Sequence, residues 1–199
     1  MLFLNSINEL SNRIMAKIIY VMGPSGSGKD TIIDAVREQH LDNLQVAHRY
    51  ITRHWQSGGE NHIGLSQAEY EQRQALGLFA MAWSANRHQY AIGREIDLWL
   101  KCQQNVLVNG SRTYLPTAMA LYPRMIEPVL VDVAADKLEE RLVKRGRESL
   151  SEIASRIQRH SQLRASFADD QAGQYTVIEN NHSIADSTAQ LLAIIKRCS

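Results

Sequence analysis

The sequence has no apolar run long enough to cross a bilayer, which takes about 20 residues. Its opening stretch, MLFLNSINELSNRI, has neither a basic leading segment nor a small-residue cleavage site. No export signal and no membrane partner are expected, and residues 1–14 read as a loosely held extension or as the result of an upstream start ahead of Met15. Cysteine is scarce: Cys102 and Cys198 are far apart and match neither a disulfide framework nor a zinc-ligand spacing. A reduced, cytoplasmic setting follows. An excess of charge of one sign is also missing, with 22 Lys and Arg against 21 Asp and Glu and a formal net charge of +1. Nothing global therefore draws the chain to nucleic acid or to an acidic membrane, and any anion site must be local. Internal repeats and low-complexity segments are absent as well, which excludes a solenoid or a linker-rich architecture.

What is present suits one compact domain of 199 residues, with 44% hydrophobic and 22% charged residues. Short β-rich runs alternate with helix-patterned segments. KIIYVM (17–22) precedes a helix over 31–39, LQVAHRYI (44–51) precedes a mixed insert, and NVLVNG (105–110) precedes a helix over 113–122. PVLVDV (128–133) is followed by a helix over 136–144, and YTVIE (175–179) by one over 184–197 whose Ile184, Leu191, Leu192 and Ile195 share a face. Apolar strands separated by helices indicate an α/β fold with a parallel sheet covered on both sides. Two regions break the alternation: an insert at about 52–93 and a lid at about 145–160, both within a single domain of residues 15–199.

The chemistry begins at Gly23-Pro24-Ser25-Gly26-Ser27-Gly28-Lys29, which satisfies G-x-x-x-x-G-K between a predicted strand and a predicted helix. Glycines let successive N–H groups turn inward, and the helix start adds partial positive charge, so the loop with Thr31 is expected to hold the phosphates of ATP. Lys29 is expected to reach the β- and γ-phosphates. Asp30 stands where Ser or Thr is usual. Its carboxylate is assigned to Mg²⁺, directly or through water, the alternative being simple complementation of the helix dipole.

A phosphate loop alone does not separate an ATPase, a GTPase, a motor and a kinase. No N/T-K-x-D guanine-reading motif is present, and the chain is short for a motor. His48, Arg49, His54 and His62 crowd one stretch but fit no zinc spacing. They read as phosphate contacts or surface groups without a catalytic role. Arg145-Gly146-Arg147 has a glycine where a helix should end and a lid begin, with Arg156 on the next helix.

The order of GPSGSGK, ITR (51–53) with GE (59–60), GLF (77–79), QYAIG (89–93), NVLVNG, LEERLVKRGRE (138–148) and VIENN (177–181) resembles the guanylate-kinase-like group of P-loop kinases across nearly the whole chain from Lys17. Within it the sequence looks most like the ribose 1,5-bisphosphate phosphokinases, which make 5-phosphoribosyl 1-diphosphate. The resemblance implies acceptor-binding roles for Arg53, Glu60 and Tyr90, and a place for Asn180 near the adenine. It also marks departures. Met81 stands where guanylate kinases carry a Glu and cannot accept from a guanine edge. Asn109 replaces an acidic residue at the end of the third strand, Gln56 replaces an arginine, and Ile92 replaces a hydroxyl. These losses point from a nucleotide to a small phosphorylated sugar.

The expected reaction is in-line attack on the γ-phosphorus of Mg²⁺-bound ATP by an already anionic phosphate oxygen, which needs no general base. Lys29, Arg145, Arg147 and Arg156 would bring the two anions together. The competing readings are a nucleoside monophosphate kinase and a non-catalytic interaction module. The intact Gly28-Lys29 pair argues against the module.

Overall fold

The computed structural model describes residues 15–57, 59–146, 149–169 and 175–198. Five parallel strands form the main sheet: β1 (Ile18–Met22), β2 (Leu44–Val46), β7 (Asn105–Asn109), β8 (Ile126–Asp132) and β9 (Thr176–Glu179), in the order β2-β7-β1-β8-β9. All five residues of β1 are buried, as a strand covered on both faces requires. Alternation divides them: Ile18, Tyr20 and Met22 enter one apolar cluster, and Ile19 and Val21 the other. Helices α1 (Lys29–Arg37) and α7 (Ile184–Arg197) cover the second face through Ile32, Val36, Leu191 and Ile195.

A second sheet occupies residues 49–93. It contains β3 (Arg49–Ile51), β4 (Ile63–Gly64), β5 (Phe79–Ala85) and β6 (His88–Gly93) in the order β4-β3-β6-β5, with α2 (Gln67–Ala75) between β4 and β5. The segment 44–51, expected as one strand, is therefore two. Leu44–Val46 pairs with β7, and Arg49–Ile51 pairs antiparallel with Tyr90–Ile92 of the other sheet. Neither Gly nor Pro marks the division, so the local sequence carried no signal for it.

Among the described residues four further α-helices follow, α3 (Glu95–Lys101), α4 (Leu115–Leu121), α5 (Ala135–Arg145) and α6 (Leu150–Asp169), with a 3-10 turn at Arg112–Tyr114. The buried face of α7 keeps the expected apolar stripe, with Ile184 and Leu192 packed partly buried on the same cluster, and is wider than it. Ser187, Thr188 and Ile194 lie on it beside Leu191 and Ile195. The ends of β1, β7 and β8 all point to the same edge of the parallel sheet, where α/β folds bind ligands.

Candidate active site

The loop from Gly23 leaves β1 and enters α1 at Lys29. Gly28 precedes the helix at φ 87°, a left-handed conformation, and a Cβ there would strike the Asn180 carboxamide. Only glycine fits. The loop is tied down from behind. Ser27 is wholly buried, and its carbonyl accepts from Asn180 Nδ2 at 2.6 Å and from Arg141 Nη1 at 3.5 Å. Arg141 Nη2 donates to the Asn180 carbonyl at 2.7 Å, the Asn180 amide donates to the Asp132 carbonyl at 2.8 Å, and Ser187 donates to Asn180 Oδ1 at 3.0 Å. Helices α5 and α7 and strands β8 and β9 thus fix the loop backbone, so its N–H groups keep their directions before a phosphate arrives.

This corrects the expectation for Asn180. With no exposed surface and both ends of its carboxamide bonded inside the protein, it floors the phosphate loop instead of reading a base. Arg141, which the sequence did not separate from a solvated helix face, is part of the same floor.

Across the loop, Asp30 on α1 meets Asn109 at the end of β7, whose Nδ2 donates to Asp30 Oδ1 at 2.7 Å. The two positions that departed from the usual pattern are therefore in contact. In P-loop proteins a neutral Ser or Thr on the loop is matched with an acidic strand end. Here the carboxylate is on the helix and the neutral amide on the strand. Asn109 Oδ1 is buried without a hydrogen-bond partner among the described residues. The turn after Asn109 is fixed by Tyr20, whose ring lies where a Cβ on Gly110 would fall and whose hydroxyl donates to the Ser111 carbonyl and accepts from the Ser111 amide, both at 2.9 Å. Burial raises the Tyr20 phenol well above its ordinary range, so it stays a neutral donor.

A shallow, open cleft runs from this pair to the second sheet. Its walls include Asp30, Asp34 and Arg37 of α1, Asn109, and Arg49 and Glu60 of the insert. Burial raises the Asp34 carboxyl above its ordinary range; Arg37, 2.6 Å away, pulls it down, while Asp30 and Glu60 push it up. On the opposite wall Arg49 grips Glu60 through Nε and Nη2, a two-pronged pair whose side chains are each 11% exposed. Arg49 also lies over the Tyr90 ring, 5.1 Å from its centroid, and Tyr90 stacks on Trp83 at 5.8 Å. Arg53 reaches the same carboxylate at 3.4 Å and approaches His62 Nδ1 at 3.5 Å.

No protein-family model matches the sequence. Individual relatives do. A ribose 1,5-bisphosphate phosphokinase PhnN of Enterobacter lignolyticus (strain SCF1) is 43% identical over 90% of this chain and 92% of its own. The protein of that name from Pantoea vagans (strain C9-1) is 42% identical over 92% and 98%, and that from Desulfomicrobium baculatum (strain DSM 4028 / VKM B-1378 / X) 43% over 91% and 95%. The chain belongs to the ribose 1,5-bisphosphate phosphokinase PhnN family. A guanylate kinase from Anaplasma phagocytophilum has the same fold, with a TM-score of 0.67 over 92% of this chain and 86% of its own at 14% identity.

In this PhnN-family chain the structure brings Gly23–Thr31, Arg53, Glu60 and Tyr90 to the edge of the parallel sheet and the facing insert. Within the loop, Ser25 and Thr31 are exposed while Ser27 and Lys29 are buried. Glu60 has Arg49 as its nearer partner and Arg53 as a second, at 3.4 Å. No local pattern shows the role of Arg49, because Arg49 and Glu60 are joined only by the return of the chain from β3 to β4, which pairs beside it. Met81 and Ile92 face each other across β5 and β6, 1% and 0% exposed, inside the apolar cluster. Neither offers a polar edge. Helix α5 ends at Arg145 with Gly146 as its left-handed cap, φ 61°. Arg147 lies outside the described residues, and Arg156 sits on α6, half-buried.

Proposed function

We propose that the chain transfers the γ-phosphoryl group of ATP to the C1 phosphate of ribose 1,5-bisphosphate, giving 5-phosphoribosyl 1-diphosphate and ADP. The observation that carries this reading is the cleft between α1 and the insert, which adjoins the phosphate loop and is walled by guanidinium, carboxylate and amide groups. Such walls suit a small acceptor with phosphates and hydroxyls. Met81 and Ile92, buried and apolar, supply nothing to a base edge. The names of the relatives select ribose 1,5-bisphosphate among acceptors of this class.

In this reading Gly23 to Thr31 hold the ATP phosphates through backbone N–H groups, with Lys29 on the β- and γ-oxygens. The donor chemistry at Asp30, a carboxylate steadied by Asn109 beside the phosphate loop, fits a hard cation that prefers oxygen. Among the described residues no group of three His, Cys, Asp or Glu could hold a metal alone, so Mg²⁺ would be held by Asp30, directly or through water, together with the nucleotide phosphates. When bound it would neutralise charge building on the β- and γ-oxygens.

Arg53 binds an acceptor phosphate, while Glu60 and Tyr90 shape that wall. Arg145, Arg147 and Arg156 belong to a lid over residues 145–160 that closes on the anions and excludes water, which would otherwise accept the phosphoryl group. The attacking oxygen is anionic at neutral pH. The side chains therefore position two mutually repelling anions and offset their charge, which supplies most of the rate in this chemistry. Among the described residues no helix is long and apolar enough to cross a membrane. Both cysteines are free thiols, in keeping with a cytoplasmic setting.

A coupled ADP-release assay with GMP, AMP, UMP and ribose 1,5-bisphosphate tests the assignment. Turnover is expected with the sugar bisphosphate alone. Comparable turnover on any nucleotide would sink it, and no ADP release with any acceptor would favour a non-catalytic module.

A further inference from the structure

A sugar bisphosphate brings two phosphates to the cleft. The one that reacts must lie at the phosphate loop. The other needs a cation on the far wall, and that wall belongs to the insert. Two guanidinium groups there, Arg49 and Arg53, share the single carboxylate of Glu60, so the three side chains together carry one uncompensated positive charge. Arg37, the cleft's other arginine, is already matched one-to-one with Asp34 at 2.6 Å.

Arg49 is also the more rigidly held of the insert pair. Glu60 engages its Nε and Nη2, and the Arg49 Cζ lies over the Tyr90 ring. A guanidinium has five N–H donors, and a two-pronged contact with one carboxylate uses two of them. Both hydrogens of Nη1 stay outside that contact, on a fork whose orientation is set before any ligand binds. A buried ion pair adds little stability over well-packed apolar side chains. Its placement on the wall of an open cleft is better accounted for by what the cleft receives.

We propose that Arg49, oriented by Glu60 and Tyr90, is the receptor for the non-reacting phosphate of the acceptor, the 5-phosphate of the sugar. The proposal rests on the sugar-bisphosphate reading above. It assigns acceptor specificity to a residue that the motif order did not mark, and it gives Glu60 a positioning role exerted through Arg49.

The test pairs enzyme variants with an acceptor that lacks the group in question. kcat and KM are measured for ribose 1,5-bisphosphate and for ribose 1-phosphate in the wild type, in Arg49→Lys, which keeps the charge but loses the fork, and in an Arg49→Met/Glu60→Leu double variant, which leaves no unpaired Glu60 carboxylate. Melting temperatures confirm folding, and calorimetric Kd values for both sugars give the same ratio where turnover is slow. Arg49→Lys is expected to lower kcat/KM for the bisphosphate by about 100-fold, mostly through KM, with the KM for ATP unchanged. On ribose 1-phosphate the same substitution should cost less than threefold, because the partner of Arg49 is already missing. Equal losses on both acceptors would mean that Arg49 only supports the fold, and would overturn the proposal. If the wild type binds and converts no ribose 1,5-bisphosphate at all, the underlying reading falls instead, a result distinct from the loss of the Arg49 assignment alone.

Discussion

The two ends of the cleft are built in different ways. In the proposed reading the phosphate loop meets its ligand with backbone N–H dipoles, while the side chains Asn180 and Arg141 lie behind the loop and hold the Ser27 carbonyl. At the insert the groups proposed to meet the acceptor are side chains, Arg49, Arg53 and Glu60, held by one another and by an aromatic ring. A backbone cradle accepts any polyphosphate and is rigid because four elements buttress it. A side-chain wall can change its chemistry by substitution while the sheet beneath it stays the same. That difference lets one fold keep its phosphate donor while changing its acceptor.

The sharpest way to break the comparison is at Lys29, the one side chain of the loop end that is expected to follow charge into the transition state. Lys29→Ala should lower kcat by about 10³-fold while the melting temperature and far-ultraviolet spectrum stay close to wild type. Surviving activity would show that the backbone cradle alone carries the chemistry, or that the loop is not the donor site.

Next in size is the contact that joins the two ends. Asn109→Asp would set a second carboxylate against Asp30, where the amide now donates at 2.7 Å. Like charges at that distance cannot both ionise comfortably, and kcat/KM is expected to fall about 100-fold. Asp30→Ser alone should also be impaired. The double variant Asp30→Ser/Asn109→Asp, which returns the carboxylate to the strand, should recover most of the loss, with a coupling of about 2 kcal/mol in a double-mutant cycle. Additive losses would mean that the two departures are unrelated.

The loop end was legible in the sequence because its determinants are contiguous: a buried strand, six loop residues and a helix start, each with its own local signal. The parallel sheet was legible for the same reason, since strands buried on both faces read as unbroken apolar runs. The proposed acceptor wall was legible only in part: Arg53, Glu60 and Tyr90 could be marked, the Arg49–Glu60 pair could not. Arg49 and Glu60 are 11 residues apart, and β3, cut from an apparently continuous run over 44–51, has no turn signal ahead of it. Asp30 and Asn109 were each noticed as oddities, but their contact depends on the register of β7 beside β1, which no local pattern reveals. Asn180, expected near the adenine, turns its carboxamide to the loop's own backbone. A strand-end Asn looks the same in sequence whether its amide faces a ligand or the loop's own backbone.

Asn180 supplies a smaller test of the buttress. Asn180→Ala would remove the donor to the Ser27 carbonyl and the acceptor for the Ser187 hydroxyl, both buried. A loss of about 2 kcal/mol is expected from denaturant unfolding, together with a higher KM for ATP and no change in the preference for ATP over GTP. An unchanged stability with an altered base preference would restore the base-reading role and weaken the contrast between the two ends.

The smallest effect concerns Asp34, the carboxylate that most directly registers how crowded with charge the acceptor end is. Burial, with Asp30 and Glu60 adding to it and Arg37 opposing, lifts its pKa above the ordinary 3.8. The folded chain therefore keeps this proton to higher pH than the unfolded chain. What the neutral form contributes to stability is fully present below the unfolded value and is lost as pH rises through the folded value. Asp34→Asn fixes a neutral side chain at that position, so the stability of the variant minus that of wild type should rise from about pH 3 toward pH 7. Urea unfolding of both proteins across that range measures the difference directly, and the slope can be read without knowing the constant offset from the lost contact with Arg37. A bisphosphate in the cleft adds negative charge beside Asp34 and should steepen the slope. A flat difference would show that solvent screens the acceptor wall, and that its charges are no more closely coupled than those of an ordinary surface.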